Sequence, residues 1–113
     1  MYAIRVSRAF SAAHQIHDSG GKCENVHGHN YRVEVEIASA RLRKPGMVAN
    51  FVAVRERLDS ILPDHQMLNE VYDFNPTAEH LARRFFTEMK AYYPVTKVTV
   101  WETETSCAEY RAD

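Results

Sequence analysis

The sequence predicts one α+β domain, in which two helices pack on one face of a four-stranded antiparallel sheet in the order β-β-α-α-β-β. Three observations support this class. Apolar residues alternate along residues 2–14 and 29–37, which is typical of half-buried strands. They recur every three or four positions along residues 51–61 and 78–89, and two short alternating segments follow at the carboxyl end. The length of 113 residues fits a single domain, which we assign to residues 1–113.

The first two strands carry their apolar side chains on one face. This face ends at His14 in the first strand, and it begins at His27 and His29 in the second. Its other members in the first strand are Tyr2, Ile4, Val6, Phe10 and Ala12. In the second strand they are Tyr31, Val33, Val35 and Ile37, with Arg32, Glu34 and Glu36 on the opposite face. The polar segment between the strands, which contains Gly20 and Gly21, predicts a loop.

Capping residues and prolines bound the two predicted helices. Asn50 is a suitable N-cap for the first helix, and Pro63 ends it. The second helix is predicted to open at Asn75-Pro76, with asparagine as the cap and proline at the first helical position. Pro94 ends this second helix.

Two final strands are predicted over residues 95–104 and 107–111. Glu102 lies on the same face as Val98 and Val100, so its carboxylate is expected to be partly buried and to need partners. A structural ion pair is one possibility. A ligand that offers two N–H groups to paired charge-assisted hydrogen bonds is the other. The four strands leave two open edges, where neighbouring subunits are expected to pair.

Composition excludes several classes of function. Fourteen basic and fifteen acidic residues leave a net charge of −1, which gives no footprint for nucleic acid or an anionic membrane. No segment approaches the roughly 18 apolar residues of a membrane span, and the amino-terminal stretch lacks the apolar core of a signal peptide. We therefore expect a cytoplasmic protein in which Cys23 and Cys107 are free thiols.

Six histidines are unusual in so short a chain. His27 and His29 point to one side of the second strand, and His14 ends the apolar face of the first. If these strands are neighbours, three imidazoles converge at one end of the sheet. Three nitrogen ligands with an open fourth position are typical of catalytic zinc. Ordinary surface or hydrogen-bonding histidines are the alternative, and the spacing leaves it open.

Other residues are candidates for proton transfer. Cys23 lies four residues before His27, and its spacing is compatible with metal ligation, a catalytic thiolate or an inert buried thiol. Asp64 and His65 follow the proline that ends the first helix, and a histidine beside a carboxylate is a reasonable proton-transfer pair. The two side chains would diverge on a strand, so cooperation requires a turn. An exposed polar turn without function is the alternative.

Taken together, these segments resemble the 6-pyruvoyl-tetrahydropterin synthase family along nearly the whole chain. The segments that carry the resemblance are Phe10-Ser-Ala-Ala-His14, Cys23-Glu-Asn-Val-His27-Gly-His29-Asn-Tyr31, Asp64-His65-Gln-Met-Leu68-Asn69, Asn75-Pro-Thr77-Ala-Glu79 and Glu102-Thr103. Each is weak alone, but their order along the chain is that of the family.

The resemblance implies a fold, a metal site and a set of site residues. The fold is the tunnelling fold, whose subunits join edge to edge into a barrel, commonly a trimer, and stack as a hexamer. The implied ligands of Zn²⁺ are His14, His27 and His29, and the implied proton-transfer residues are Cys23, Asp64 and His65. Glu102 matches the residue that anchors the pterin ring, and Thr77 and Glu79 match a segment near the pterin pocket.

The spacing of three residues between Cys23 and His27 resembles the bacterial 6-carboxytetrahydropterin synthases of the queuosine pathway. The implied reaction converts 7,8-dihydroneopterin triphosphate to 6-carboxy-5,6,7,8-tetrahydropterin with release of acetaldehyde and triphosphate. The alternatives are a synthase that forms the 6-pyruvoyl product and a non-catalytic module that binds zinc and a pterin. Two positions depart from the family pattern: Asn50 stands where aspartate is usual, and His80 stands where asparagine is frequent.

Overall fold

The computed structural model describes residues 1–21 and 24–112, and in this part of the chain one sheet packs against helices. The elements are β1 Tyr2–His14, β2 His27–Ser39, α1 Phe51–Ile61, β3 Gln66–Met67, α2 Leu68–Val71, α3 Ala78–Lys90, β4 Val95–Trp101 and β5 Cys107–Arg111. The sheet has the strand order β3-β1-β2-β4-β5. The predicted α+β class is confirmed.

The sheet differs from the prediction in one detail, because a fifth strand makes it mixed rather than purely antiparallel. The two-residue β3 pairs parallel to β1, with Gln66 opposite Ala12 and Met67 opposite Ala13. A strand of two residues has no alternation for a sequence pattern to reveal. The four-residue α2 follows it directly and was not predicted either.

A long hairpin of β1 and β2 sets the position of the histidines. Its antiparallel register pairs Tyr2 with Ser39 at one end and His14 with His27 at the other. His29 lies opposite Ala12 in the same ladder. Because residues two apart in a strand point to one face, all three imidazoles lie on one side of the sheet.

The core lies between that face of the sheet and the two long helices. Fully or nearly fully buried strand residues are Val6, Phe10, Tyr31, Val33, Val35, Ile37, Val98 and Val100. The helices contribute Val54, Leu58, Leu81, Ala82, Phe85, Phe86 and Met89. Each such side chain contributes about 1.5–3 kcal/mol on burial. His14 is the buried polar residue at the end of this core.

The predicted start of the first helix is confirmed, and that of the second is wrong. Asn50 caps α1, and its Oδ1 accepts a hydrogen bond from the N–H of Ala53 at 3.1 Å. At α3 the cap is Thr77, whose hydroxyl accepts from the N–H of His80 at 3.2 Å. Asn75 is not available as a cap because its side-chain amide is bonded elsewhere.

Two asparagine amides hold the chain that leaves β1. The amide of Asn69 accepts from the N–H of Gln15 and donates to its carbonyl, both at 2.8 Å. The amide of Asn75 makes the same pair of bonds with His17, at 3.0 and 2.9 Å. Each side chain therefore supplies the donor and acceptor that a neighbouring strand would otherwise offer.

The fourth strand ends earlier than predicted. β4 stops at Trp101, and the N–H of Glu102 donates to the carbonyl of Ser106 at 3.1 Å where the chain turns into β5. Glu102 is therefore at a hairpin turn and not inside a strand. Among the described helices, the longest of which has 13 residues, none has the length and apolar character needed to cross a membrane.

Candidate metal centre and substrate site

The end of the β1–β2 ladder brings three histidines together. One nitrogen of each of His14, His27 and His29 lies within 4.8 Å of the others. The ring centroids are 4.5, 4.8 and 5.1 Å apart. His14 is fully buried, and the other two are partly buried. The convergence predicted from alternation is thus present in the structure.

Backbone carbonyls orient two of these rings. Nδ1 of His14 lies 2.9 Å from the carbonyl oxygen of Pro76, and Nδ1 of His27 lies 2.7 Å from that of Asn25. A carbonyl oxygen only accepts, so a proton on each Nδ1 satisfies these contacts. The remaining nitrogens, Nε2 of His14 and Nε2 of His27, then carry lone pairs and face each other at 3.0 Å.

The donor set fits a divalent metal ion. Two lone pairs that face each other repel unless a cation lies between them, and two imidazole nitrogens on tetrahedral zinc are about 3.3 Å apart. Nε2 of His29 is also buried without a hydrogen-bond partner among the described residues, although Oε1 of Glu102 lies 3.3 Å away. An unpartnered buried nitrogen beside two converging lone pairs is the arrangement that a metal ion would satisfy.

Burial favours the neutral form of two of the three histidines. It lowers the pKa of His14, against the opposing effects of the Pro76 carbonyl and the Glu102 charge. It also lowers the pKa of His29, again opposed by Glu102. Neutral imidazole is the form that binds a metal. Burial raises the pKa of Tyr31, so that its hydroxyl stays protonated behind the cluster.

Glu102 and Glu79 line one hollow beside the histidines. Its volume is about 200 Å³, and its walls also include Ala78, Ser106, Cys107 and Ala108. Glu102 is half-buried with a side-chain exposure of 29%, and it contacts His29 on the cluster side. The predicted partial burial of its carboxylate is therefore confirmed. Thr77 caps the helix that carries Glu79 but does not line this hollow.

Asp64 and His65 meet at a turn on the other side of β1. His65 adopts a positive φ of 58°, and its Nδ1 lies 2.9 Å from Oδ2 of Asp64. The backbone N–H of Ser11 donates to Oδ1 of Asp64 at 2.9 Å, and the N–H of His65 donates to the carbonyl of Ser11 at 2.6 Å. The pKa of Asp64 is held below its ordinary value, mainly by the hydrogen bond from the Ser11 N–H and secondly by that from the imidazole of His65.

The imidazole of His65 faces a second, open hollow. Its side chain is 82% exposed. The hollow has a volume of about 480 Å³, and His65 lines it together with His29, Ser11, Asn30 and Gln66. His29 therefore belongs both to the cluster and to the lining of the hollow that the imidazole of His65 faces. Cys23 lies outside the described residues.

Three groups around the cluster were not identified from the sequence. Tyr31 could have been found, because it follows His29 at the next position on the same face of β2. The carbonyls of Pro76 and Asn25 carry no sequence signal, since every residue has a carbonyl and only the fold selects these two. Cys107 is an exposed free thiol that lines the Glu102 hollow.

Comparison with known proteins agrees with this site. A family model described as 6-pyruvoyl tetrahydropterin synthase matches residues 3–113. The chain belongs to that family. Within it, the chain is 40% identical over 111 residues to an Archaeoglobus fulgidus protein provisionally named 6-carboxy-5,6,7,8-tetrahydropterin synthase, with 96% of this chain and 94% of the relative covered.

Further members of the 6-pyruvoyl tetrahydropterin synthase family resemble the whole chain. The 6-carboxy-5,6,7,8-tetrahydropterin synthase of Synechocystis sp. is 37% identical over 120 residues, covering 97% of this chain and 93% of the relative. The structure of the Caenorhabditis elegans 6-pyruvoyl tetrahydropterin synthase superimposes with a TM-score of 0.88 at 26% identity, covering 99% and 96% of the two chains. The tunnelling fold that the sequence resemblance implied is therefore confirmed.

Proposed function

We propose that this protein is a zinc-dependent lyase that converts 7,8-dihydroneopterin triphosphate and one water molecule to 6-carboxy-5,6,7,8-tetrahydropterin, acetaldehyde and triphosphate. The observation that carries this proposal is the cluster of three imidazoles with a carboxylate at its edge. The relatives at 37–40% identity favour the carboxy product over the pyruvoyl product. In this proposal the reaction belongs to queuosine biosynthesis.

His14, His27 and His29 would hold the zinc ion. When bound, it supplies a Lewis acid that polarises the hydroxyl oxygens of the substrate's side chain and makes neighbouring protons easier to remove. Imidazole nitrogens suit zinc, and three of them leave room for a substrate ligand. The structural support for this ligand set is the convergence of the three imidazoles, with Nε2 of His14 and Nε2 of His27 3.0 Å apart, and the unpartnered Nε2 of His29 among the described residues.

Glu102 would fix the pterin ring. Its carboxylate lies at the hairpin turn, half-buried beside His29, and no described lysine or arginine lies within salt-bridge distance of it. The amino-pyrimidine edge of a pterin presents two N–H groups, which a carboxylate accepts as a pair of charge-assisted hydrogen bonds. Glu79 shares the hollow, and Thr77 holds the first turn of α3 in place beside it.

Asp64 and His65 would move a proton. Oδ2 of Asp64 accepts from Nδ1 of His65, which leaves Nε2 of His65 with a lone pair directed away from the carboxylate. Such a nitrogen accepts or returns a proton, while the aspartate fixes the tautomer. Cys23 is proposed as the second proton-transfer group, acting as a thiolate.

We further propose that copies of the chain assemble through their sheet edges into a trimer or hexamer in the cytoplasm. Among the described residues, β3 covers β1 only at Ala12 and Ala13, which leaves most of the outer edge of β1 unpaired. Four large exposed apolar side chains line one hollow together with Ala3 and Ile4 of β1: Tyr2, Leu42, Met47 and Phe51. An open edge beside apolar surface favours pairing with another strand.

The test is product analysis on the zinc-loaded protein with 7,8-dihydroneopterin triphosphate. We expect 6-carboxytetrahydropterin by mass spectrometry, with acetaldehyde and triphosphate in equal amounts. Triphosphate without acetaldehyde, together with the 6-pyruvoyl product, would assign the alternative synthase activity. Saturable pterin binding with neither product would identify a non-catalytic module. Size-exclusion chromatography with light scattering measures the assembly independently, and a monomer would contradict the proposed trimer or hexamer.

A further inference from the structure

A buried hydroxyl lies behind the histidine cluster. Tyr31 is 1% exposed, and its phenol oxygen lies 3.1 Å from Nδ1 of His14. Among the described residues, that hydroxyl has no other hydrogen-bond partner. A buried tyrosine O–H that donates to nothing is costly. It can donate to His14 only when Nδ1 carries a lone pair and not a proton.

A second group competes for the same nitrogen. The carbonyl of Pro76 lies 2.9 Å from Nδ1 of His14, and it needs a proton on that atom. A neutral imidazole carries one proton, either on Nδ1 or on Nε2. His14 can therefore donate to Pro76 or accept from Tyr31, but it cannot do both at once.

The position of the proton on His14 decides whether its Nε2, which faces the cluster, offers a lone pair or an N–H. With the proton on Nδ1, Nε2 of His14 offers a lone pair towards Nε2 of His27, 3.0 Å away, and the ring is ready to bind a metal. With the proton on Nε2, it donates to His27 instead. A continuous series of donors then runs from Tyr31 through His14 and His27 to the carbonyl of Asn25.

We propose that Tyr31 is a positioning residue that selects the tautomer of His14. In the metal-free protein its hydroxyl donates to Nδ1 and keeps the proton on Nε2, the form that cannot ligate. When a metal binds, the proton occupies Nδ1 and Pro76 accepts it. The imidazole of His14 carries one proton in both states, and only the nitrogen that holds this proton changes. The inference rests on the proposed function in one respect, namely that the three imidazoles hold a divalent ion.

The first test is the zinc affinity of Tyr31→Phe. This change removes the hydroxyl and keeps the ring that stacks on Phe10 at 4.8 Å. Since the metal-free tautomer loses one hydrogen bond, we expect zinc to bind about fivefold more tightly, measured at about pH 8 by competition with a chromophoric chelator. A residue that simply supports its ligand would show the opposite sign, a loss of about 10–100-fold.

Tyr72→Phe is the matched control. Tyr72 is also buried and stacks on an aromatic ring, Phe74, at 4.8 Å, but its hydroxyl has no bond to a histidine among the described residues. Its zinc affinity is expected to equal that of the wild type. An unchanged or weakened affinity in Tyr31→Phe overturns the proposal. If the wild type binds no zinc, the proposed function fails instead.

The second test reads the tautomer of His14 directly. Long-range ¹H–¹⁵N correlation spectra of the metal-free wild type should show the His14 proton on Nε2, and zinc should shift it to Nδ1. In metal-free Tyr31→Phe the proton should already lie on Nδ1. A proton on Nδ1 in the metal-free wild type would overturn the inference, whatever the outcome of the zinc titration.

Discussion

The two histidine sites beside β1 differ in how firmly their imidazole rings are held and in how exposed these rings are. In the cluster of His14, His27 and His29, backbone carbonyls hold two rings, and the innermost ring is fully buried. In the Asp64–His65 pair, the backbone is bonded twice to Ser11, but the imidazole is 82% exposed. One chain thus brings the three proposed metal ligands together by itself, whereas it leaves the imidazole of the Asp64–His65 pair open to solvent or to another surface.

Because of this difference, we expect metal binding to depend on the cluster and turnover to depend on the Asp64–His65 pair. The cluster derives its order from the long ladder of β1 and β2, whose register places His14 opposite His27. The pair derives its order from a single turn beside Ser11. Changes in the cluster should therefore affect metal content first, and changes in the pair should affect turnover with the metal retained.

The largest expected effect is that of His27→Ala on metal binding. Loss of a partner behind a ligand costs about 10–100-fold in metal affinity, so loss of the ligand itself should cost more than about 100-fold. Metal analysis of the purified variant measures this. His80→Ala is a control, because His80 lies outside the cluster. Full zinc content in His27→Ala would remove this residue from the ligand set.

His65→Ala should show the reverse pattern. Turnover is expected to fall by about 10²–10⁴-fold, the usual contribution of a positioned acid or base, with zinc content unchanged. The turnover of Cys23→Ala is expected to fall by at least about 10²-fold, again with zinc content unchanged. Steady-state kinetics and metal analysis on the same preparations separate the two effects. Undiminished turnover in either variant would exclude that residue from proton transfer.

Glu102→Gln tests the side of the cluster that faces the substrate. The amide keeps the shape of the carboxylate but loses its charge and one acceptor, so paired bonds to a pterin edge weaken. We expect kcat/KM to fall by about 10–100-fold, which corresponds to the loss of a charge-assisted hydrogen bond. Zinc content should remain that of the wild type. Unchanged pterin binding would show that this carboxylate serves only His29.

The smallest expected effect concerns acid stability at the open pair. Since the folded protein holds the pKa of Asp64 below its ordinary value of 3.8, the ionised side chain stabilises the fold above that pH. This contribution is lost as the pH falls through the folded value. Asp64→Asn should therefore be less stable than the wild type at about pH 7, and the difference should shrink in acid. Urea midpoints of both proteins across this range measure it; a constant difference would contradict the assignment.

Alternation along β1 and β2 predicted the faces of the three histidines because the period of a strand is a local property. That these strands are neighbours, with His14 opposite His27, is set by the fold and was supported only by the family resemblance. Asn50 has its predicted role as a cap, because the N–H that its side chain accepts from is only three residues along the chain, at Ala53. Asn75 did not, because the turn before α3 places its amide beside His17, which is distant in sequence.

The pairing of Asp64 with His65 depended on a turn that the sequence did not specify, and a positive φ at His65 provides it. Glu102 was predicted inside a strand, but β4 ends at Trp101, one residue before it, and Glu102 lies at the turn into β5. The backbone carbonyls behind the metal centre were beyond any pattern of side chains. Local periodicity thus revealed the three candidate metal ligands, and long-range packing selected the groups that hold them.

The amide of Asn75 has a chemical consequence for the lifetime of the protein. Asparagine ages mainly by ring closure, in which the backbone nitrogen of the next residue attacks the side chain and ammonia leaves. Pro76 has no N–H to take part in this reaction, so Asn75 is protected from this route of deamidation. An aspartate at this position would set a carboxylate oxygen against the carbonyl of His17, where the present amide donates at 2.9 Å. The proline that was expected to start a helix thus preserves the bond that holds the chain leaving β1.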